Sequence, residues 1–413
     1  MVEGPTPYRH ARLLVLGAGP AQLGLLAAAR KRGLYIVAVD ANPEAPGFRY
    51  ADRRAIVSTE GEHAVERLAD AERVDGLIAP GIDWPVRIAA RVAAKLGLPH
   101  PLTPEAATLA TSKLRQRERF ENDGVPQPEY RSCRSLGDVR AAAEELGYSC
   151  VVKAPDRQGQ RGLSVVKARD GLERAFETAL AGSRSGSVLV EQLVQGREVT
   201  VNAFLLGGRF HALTITDRHL ADYPAFGVAL AHSWPSAQPT PQIAKAIDAA
   251  RRAASALDIT DGPTYTQVIV SDEGAVVGEL AARLGGGHDA ELCRRALRVD
   301  LNQAAISAAL GEKVPRNRLA PQTRVGSACV RFLVAPMGEL RRVRGLDEAF
   351  KVDGVRGIRI YRRPGHVFGP LRTGADRAGA ILAVGGSAED ALARADRARS
   401  LVRFETERAR VVA

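Results

Sequence analysis

The sequence predicts a multidomain α/β protein with a parallel α/β unit first, a central segment of two α+β lobes, and a small α+β domain last. Three observations carry this prediction. The chain opens on strand, glycine turn, helix and strand (residues 11–16, GAGPAQLG, a helix through Arg30, and 35–39), the unit from which parallel sheets are built. From Tyr148 the pattern changes to short β-branched runs, SCVVKAP, LSVV and SVLVEQLV, joined by glycine-rich turns, which reads as a sheet of hairpins. Finally, 413 residues exceed what one core ordinarily serves, and a polar Pro/Arg linker at 315–323 sets off a last α+β stretch. The expected segments are 1–105, 106–318 and 319–413, with a smaller lobe at about 130–195 inside the middle one.

Composition narrows the class of function. Hydrophobic content of 45% and charged content of 25% are those of a soluble globular chain. No apolar run is long enough to span a membrane, and MVEGPTPYRHAR lacks the apolar core of a signal peptide, so a cytoplasmic protein without membrane partners is expected. Cys133, Cys150, Cys293 and Cys329 are scattered without metal-ligand spacing and read as reduced, structural thiols. The net charge of +11 comes from arginines spread along helices, and aromatic residues make up only 5%. That excludes a nucleic-acid stripe with stacking side chains and leaves a small anionic substrate as a sufficient partner.

In the first segment, Gly17, Gly19 and Gly24 with Asp40 resemble a dinucleotide fingerprint. The third glycine comes five residues after the second rather than three, which points to a plain strand-to-helix turn. Asp83 precedes a helix and reads as its N-cap. Lys113 lies on a helix that leads into a Gly-Val-Pro-Gln-Pro connector.

The segment 148–198 carries the densest chemistry. Lys153 ends a buried strand and faces the loop DRQGQRG, in which Gly159 and Gly162 let backbone N–H groups approach phosphate oxygens. A helix follows, then a strand containing Glu191, Gln192 and Leu193, whose backbone can meet an adenine edge. Glu198, seven residues after Glu191, can accept from ribose hydroxyls. Further on, 264–270 and 275–280 alternate as a hairpin, with Glu279 inside the second strand, then Arg283 and the glycines 285–287. A carboxylate on a core strand is costly unless paired or bound to a metal. Between these, residues 219–239 read as a long irregular loop holding His219, Tyr223, His232 and Trp234. The helix at 241–257 is amphipathic, and Ser387 caps the last helix.

The ordered set of strand lysine, glycine loop, helix and strand Glu-x₆-Glu resembles the nucleotide clamp of the ATP-grasp superfamily. The resemblance spans roughly residues 12–405, and the tail resembles the L-amino acid ligase branch. It implies a pre-ATP-grasp domain, a two-lobed ATP-grasp domain and a small C-terminal domain, with ATP and Mg²⁺ as cofactors. Lys113 and Lys153 would bind phosphates, with Gly159 to Gly162 as a lid. Glu191 to Leu193 would meet adenine, and Glu198 the ribose. Glu279 would hold magnesium, and Arg283 the acyl phosphate or carboxylate. In the family this hairpin has Glu where Gln267 stands and Asn where Ala281 stands, so Gln267 is the remaining second ligand candidate. The implied activity is an ADP-forming ligase joining a carboxylic acid, an amino acid by this branch, to an amine, in a protein that is often a homodimer. Two alternatives stand beside it: a carboxylase of the biotin carboxylase or aminoimidazole ribonucleotide type, and an ATP-binding protein without catalysis.

Overall fold

The computed structural model describes residues 10–222, 225, 227–323 and 325–407. The first unit contains β1 (Arg12–Leu16), α1 (Leu23–Lys31), β2 (Tyr35–Val39), β3 (Arg53–Ala55), α2 (Glu62–Ala71), β4 (Gly76–Ile78), α3 (Trp84–Leu96) and α4 (Pro104–Ala110). Its sheet is wholly parallel, in the order β3-β2-β1-β4. Residues 13–16 of β1 are fully buried, as an unbroken apolar run in a parallel sheet requires. The glycine turn after β1 is closed by its own chain. Asp40 accepts from the amides of Ala18 and Asn42 at 2.9 Å each, and the buried Gln22 lies against Gly17 and donates to Pro80 O at 2.5 Å. Gly24 has another purpose. A side chain there would strike the carboxylate of Glu291, so the glycine lets a later helix pack directly on α1.

The middle segment begins with α5 (Lys113–Asn122), whose N-cap Ser112 accepts from Arg115 N. The smaller lobe follows: β5 (Tyr130–Cys133), α6 (Leu136–Leu146), β6 (Cys150–Lys153), β7 (Leu163–Val166), α7 (Leu172–Gly182) and β8 (Val188–Gln192). These strands form an antiparallel sheet, β5-β8-β6-β7. Strand alternation sends Cys150, Val152, Val188 and Val190 into the core under α6 and α7. The same alternation turns Lys153 and Glu191 to the opposite face.

Next come β9 (Arg197–Leu206), β10 (Arg209–Leu220), β11 (Ala229–Trp234), α8 (Thr240–Ala256), β12 (Gly262–Val270), β13 (Ala275–Ala281), α9 (Asp289–Leu297) and α10 (Leu301–Ala309). The final stretch adds β14 (Ser327–Leu333), β15 (Gly338–Arg344), α11 (Leu346–Lys351), β16 (Val355–Ile360), β17 (Val367–Phe368), β18 (Gly379–Gly385), α12 (Ala388–Leu401) and β19 (Arg403–Glu407). One eight-stranded antiparallel sheet, β13-β12-β9-β10-β11-β14-β18-β16, runs through both stretches, and β17-β15-β19 forms a separate small sheet. Val199, Val201, Val268 and Val277 pack with the alanines of α8 in one core. Glu198, Thr200, Arg218, Gln267 and Glu279 share the other face of the large sheet, as their registry requires.

The irregular loop expected at 219–239 is irregular only in part. His219 lies in β10, and His232 and Trp234 belong to β11, which pairs with β10 on one side and β14 on the other, so strand partners from distant segments outweigh the polar residues here. Tyr223 lies outside the described residues.

Candidate active site

Two lysines brought close together, with Lys113 N donating to Pro155 O just beyond Lys153, each hold a carboxylate. Lys153 Nζ lies 2.7 Å from Glu191 Oε2, and the Nε of the buried Arg117 lies 2.9 Å from Glu191 Oε1. Burial favours the neutral acid, yet Arg117 and then Lys153 outweigh it and hold Glu191 down at about 2. Burial also lowers the Lys153 ammonium from its ordinary value, with Glu191 opposing. The clamp residue expected to offer its backbone thus has its side chain engaged as well. Glu191 lies on the strand between β5 and β6, while Gln192 ends that strand and Leu193 follows it, half-buried.

This triad makes a pH prediction. An unfolded glutamate takes its proton near 4.5 and the folded Glu191 at about 2, so its contribution to stability is full above about pH 4.5 and is lost as pH falls toward 2. Unfolding free energy is expected to fall across that window. The slope should be shallower in an Arg117→Met/Glu191→Gln variant, and equal slopes would remove Glu191 from the account.

Nearby, Lys113 Nζ lies 2.7 Å from Glu279 Oε1 and donates to Arg157 O at 2.6 Å. Burial would raise the Glu279 carboxyl, but Lys113 brings it below its ordinary value. Gln267 sits directly opposite Glu279 across the hairpin, beside a bulge. With its amide oriented to satisfy its neighbours, Gln267 donates to Glu198 Oε1 at 3.2 Å and accepts from Arg218 Nη1 at 3.1 Å. Arg218 in turn lies 2.9 Å from Glu198 and donates to Tyr265 Oη at 2.6 Å. Glu198 is therefore tied into this link.

This donor set limits what metal it suits. The Glu279 carboxylate fits one magnesium arriving with nucleotide phosphates, which themselves supply oxygen ligands. A second ion does not fit: the Gln267 oxygen is taken by Arg218, Ala281 has no donor, and Asp272 is exposed at the turn end of the hairpin. Among the described residues no cluster of three or more His, Cys, Asp or Glu side chains is placed to hold a metal.

Arg283 leaves the end of β13 and binds Asp83, Nε to Oδ1 at 2.7 Å, with its guanidinium 5.6 Å from the Tyr265 ring centre. Asp83 was expected as an N-cap. It occupies that position on α3, but its carboxylate caps no amide because Arg283 claims it. The glycine loop closes over this corner. Gly159 and Gly162 both have positive φ, and Gln158 accepts from Asp83 N at 2.5 Å. Beyond the loop, the Arg184 guanidinium stacks 3.9 Å over Trp84 and lies 2.5 Å from Glu60. A cavity of about 30 Å³ remains among Lys113, Glu279, Asp83 and the loop, far too small for a triphosphate.

Behind the lysines lies a second group of polar side chains. The buried His232 meets Asp289 Oδ1 through Nδ1 at 3.0 Å, and its Nε2 has no partner among the described residues. Burial lowers the His232 pKa against the pull of Asp289, leaving a neutral ring that carries its proton on Nδ1. The Arg377 guanidinium stacks 3.7 Å over Phe332, with Nε unpartnered, and burial pushes it down to about 10. His288 meets Tyr361 Oη at 2.5 Å, while Arg359 reaches Glu291 at 3.1 Å. Sequence reading named His232 only as one of four polar loop residues and missed Arg117, Asp289 and Arg377. Their partners come from distant segments, and no local spacing marks them.

Two segments of the chain match known protein families, and its fold matches known structures. Residues 111–222 match the phosphoribosylglycinamide synthetase ATP-grasp (A) domain, and residues 331–407 match the L-amino acid ligase C-terminal domain 2. An uncharacterized protein, y4rH of Sinorhizobium fredii, is 30% identical over 308 residues, 73% of this chain, which spans 62% of that relative's length. A formate-dependent phosphoribosylglycinamide formyltransferase of Burkholderia thailandensis is 28% identical over 95% of both chains. The crystal structure of an L-amino acid ligase from Bacillus licheniformis superposes with a TM-score of 0.82 at 20% identity, over 97% of this chain and 99% of that one. No helix among the described residues is long and apolar enough to cross a membrane. With the paired lysines, the clamp sheet and both domain matches in place, residues 111–222 are similar to an ATP-grasp domain and residues 331–407 to the C-terminal domain of L-amino acid ligases, in a chain that shares the fold of the Bacillus licheniformis ligase.

Proposed function

We propose that the protein is an ADP-forming ligase that joins a carboxylic acid, an amino acid in the favoured reading, to an amine through an acyl phosphate. The observation that carries this is the pair of neighbouring lysines, Lys113 and Lys153, each held ready by a carboxylate, with the glycine loop beside them. Phosphoryl transfer asks little covalent chemistry of a protein; it asks for positioned positive charge and exclusion of water. Lys113 and Lys153 take the ATP phosphates, and the strand ending at Gln192 and Leu193 borders the adenine. Glu198 takes the ribose through an exchange with Arg218. Magnesium, bound with ATP, neutralises phosphate charge, and Glu279 would hold it.

A carboxylate oxygen attacks the γ-phosphorus and the bond to ADP breaks. Arg283, released from Asp83, holds the incoming acid and then its acyl phosphate. The loop at Gly159 and Gly162 keeps water out. The amine then attacks the carbonyl carbon and phosphate leaves. His232 Nε2, with its lone pair free and Asp289 fixing the tautomer, takes the amine proton. Arg377 suits a second carboxylate, as an amino acid would present. The C-terminal match supports an amino acid substrate, while the formyltransferase relative makes formate the next acid to test. Division into segments 1–105, 106–318 and 319–413, a homodimer, and a cytoplasmic location in keeping with four buried free cysteines belong to the same proposal.

One observation favours a second reading. Gln267 is locked between Glu198 and Arg218, which suits a nucleotide-binding protein without turnover. Release of ADP from ATP, screened against pooled amino acids, formate and bicarbonate, separates these readings. Ligation needs a carboxylate and an amine together. Release with bicarbonate as the only acid would show a carboxylase, and MgADP binding with no release would show a binding protein.

A further inference from the structure

Arg117 is one of the largest fully buried side chains, and besides Gln127 in the connector after α5 its guanidinium touches Glu191 and two carbonyls of β13. It lies one helical turn after Lys113 on α5. Its Nε meets Glu191 Oε1 at 2.9 Å and its Nη2 lies 3.4 Å from Oε2. The other ends of the fork reach the large sheet: Nη1 donates to Val277 O at 3.1 Å and Nη2 to Gly278 O at 2.6 Å. Gly278 is the extra residue of the bulge opposite Gln267 and immediately precedes Glu279. The neighbouring Gln116 holds the other side of Glu279, donating to Leu280 O at 2.8 Å and accepting from Leu280 N at 3.1 Å. One guanidinium thus spans the helix of one lysine, the partner of the other lysine, and the carbonyls that set the direction of Glu279.

Resting on the ATP-ligase reading, we propose that Arg117 is a positioning residue that lets ATP recruit Lys153 by keeping Glu191 neutralised after the lysine leaves. Glu191 is buried, and a buried carboxylate stripped of its last cation is costly. With Arg117 present, Lys153 Nζ can turn from Glu191 to a phosphate oxygen while Glu191 keeps two guanidinium contacts. Without it, the move would leave Glu191 charged and alone, so Lys153 stays where it is. The same guanidinium, through the two bulge carbonyls, keeps Glu279 aimed while Lys113, on the same helix, makes the corresponding exchange. Packing alone would not require a charge here; the role depends on the charge of Glu191, and that dependence can be tested.

The test is MgADP affinity by calorimetry, read without any acceptor substrate, alongside thermal unfolding. Arg117→Met is expected to weaken MgADP binding by about tenfold or more, the loss of one charge-assisted contact. Arg117→Met/Glu191→Gln is expected to recover most of that loss, because an amide left by Lys153 carries no unpaired charge. A folded single variant that binds like the parent, or a folded double variant as weak as the single, overturns the proposal. Should the methionine variant not fold, Arg117→Lys carries the test. Keeping the charge should keep MgADP affinity within a few-fold, and a tenfold loss in that folded variant overturns the proposal as well. If the parent protein itself binds no MgADP, the ligase reading fails first. If it binds but never ligates, that reading fails while the Arg117 test stands.

Discussion

Glu279→Gln is expected to slow phosphoryl transfer by roughly 10²–10³-fold, the usual cost of removing one fixed electrostatic group from a transition-state site. The structure sharpens this expectation with a sign. Glu279 neutralises Lys113 at 2.7 Å before any nucleotide arrives. On the proposed reading, removing the carboxylate therefore takes away the group that would hold magnesium and also frees a lysine for phosphate. Affinity for ADP without metal should hold or improve, while the added affinity that Mg²⁺ confers should shrink. Titrating ADP with and without Mg²⁺, together with the rate of ADP release, measures both. Normal turnover in Glu279→Gln would place the metal elsewhere and end the role assigned to this hairpin.

Lys153→Ala is expected to weaken ATP and ADP binding by at least tenfold, since a charge-assisted bond to phosphate is worth about 1.5–3 kcal/mol. The fold should survive this change. Glu191 is left with Arg117, a two-point partner, and escapes the penalty of an isolated buried charge. Calorimetry with ADP and a thermal melt test the two halves separately. Unchanged affinity would remove Lys153 from the clamp. A collapse of the melt would mean the lysine serves the core and not the ligand.

How much of this was legible depended on distance along the chain. The elements around Lys153, two strands joined by a glycine loop, a helix and the strand ending at Gln192, form a local series, and periodicity with glycine placement was enough to read them. The N-terminal parallel unit was equally plain, because an apolar run, a glycine turn and a helix sit side by side. The loop expected at 219–239 was misread in part, because β11 has no clear period of its own and is held as a strand by β10 and by β14, about a hundred positions later. Asp83 looked like a cap, and only the fold brings Arg283 to it across 200 positions of sequence. The role of Gly24 was hidden for the same reason, since the carboxylate that fills its space comes from α9. Arg117 could not be read at all: on a helix of alternating charges it resembles a solvated residue, and only the facing Glu191 and the two bulge carbonyls show it to be buried.

The eight-stranded sheet has a consequence for how the chain is made. β11 pairs with β14 through Ala231 with Arg331 and Trp234 with Ala328, so its second hydrogen-bonding edge is closed by residues roughly a hundred positions later. Until these emerge, a nascent chain carries an open strand edge, the feature that invites pairing with a neighbouring chain. Truncation near residue 320 would make that exposure permanent. Such a fragment would keep both lysines and the clamp sheet yet be prone to aggregation. The last 85 or so residues thus act, during synthesis, as a built-in edge protector as well as part of the mature site.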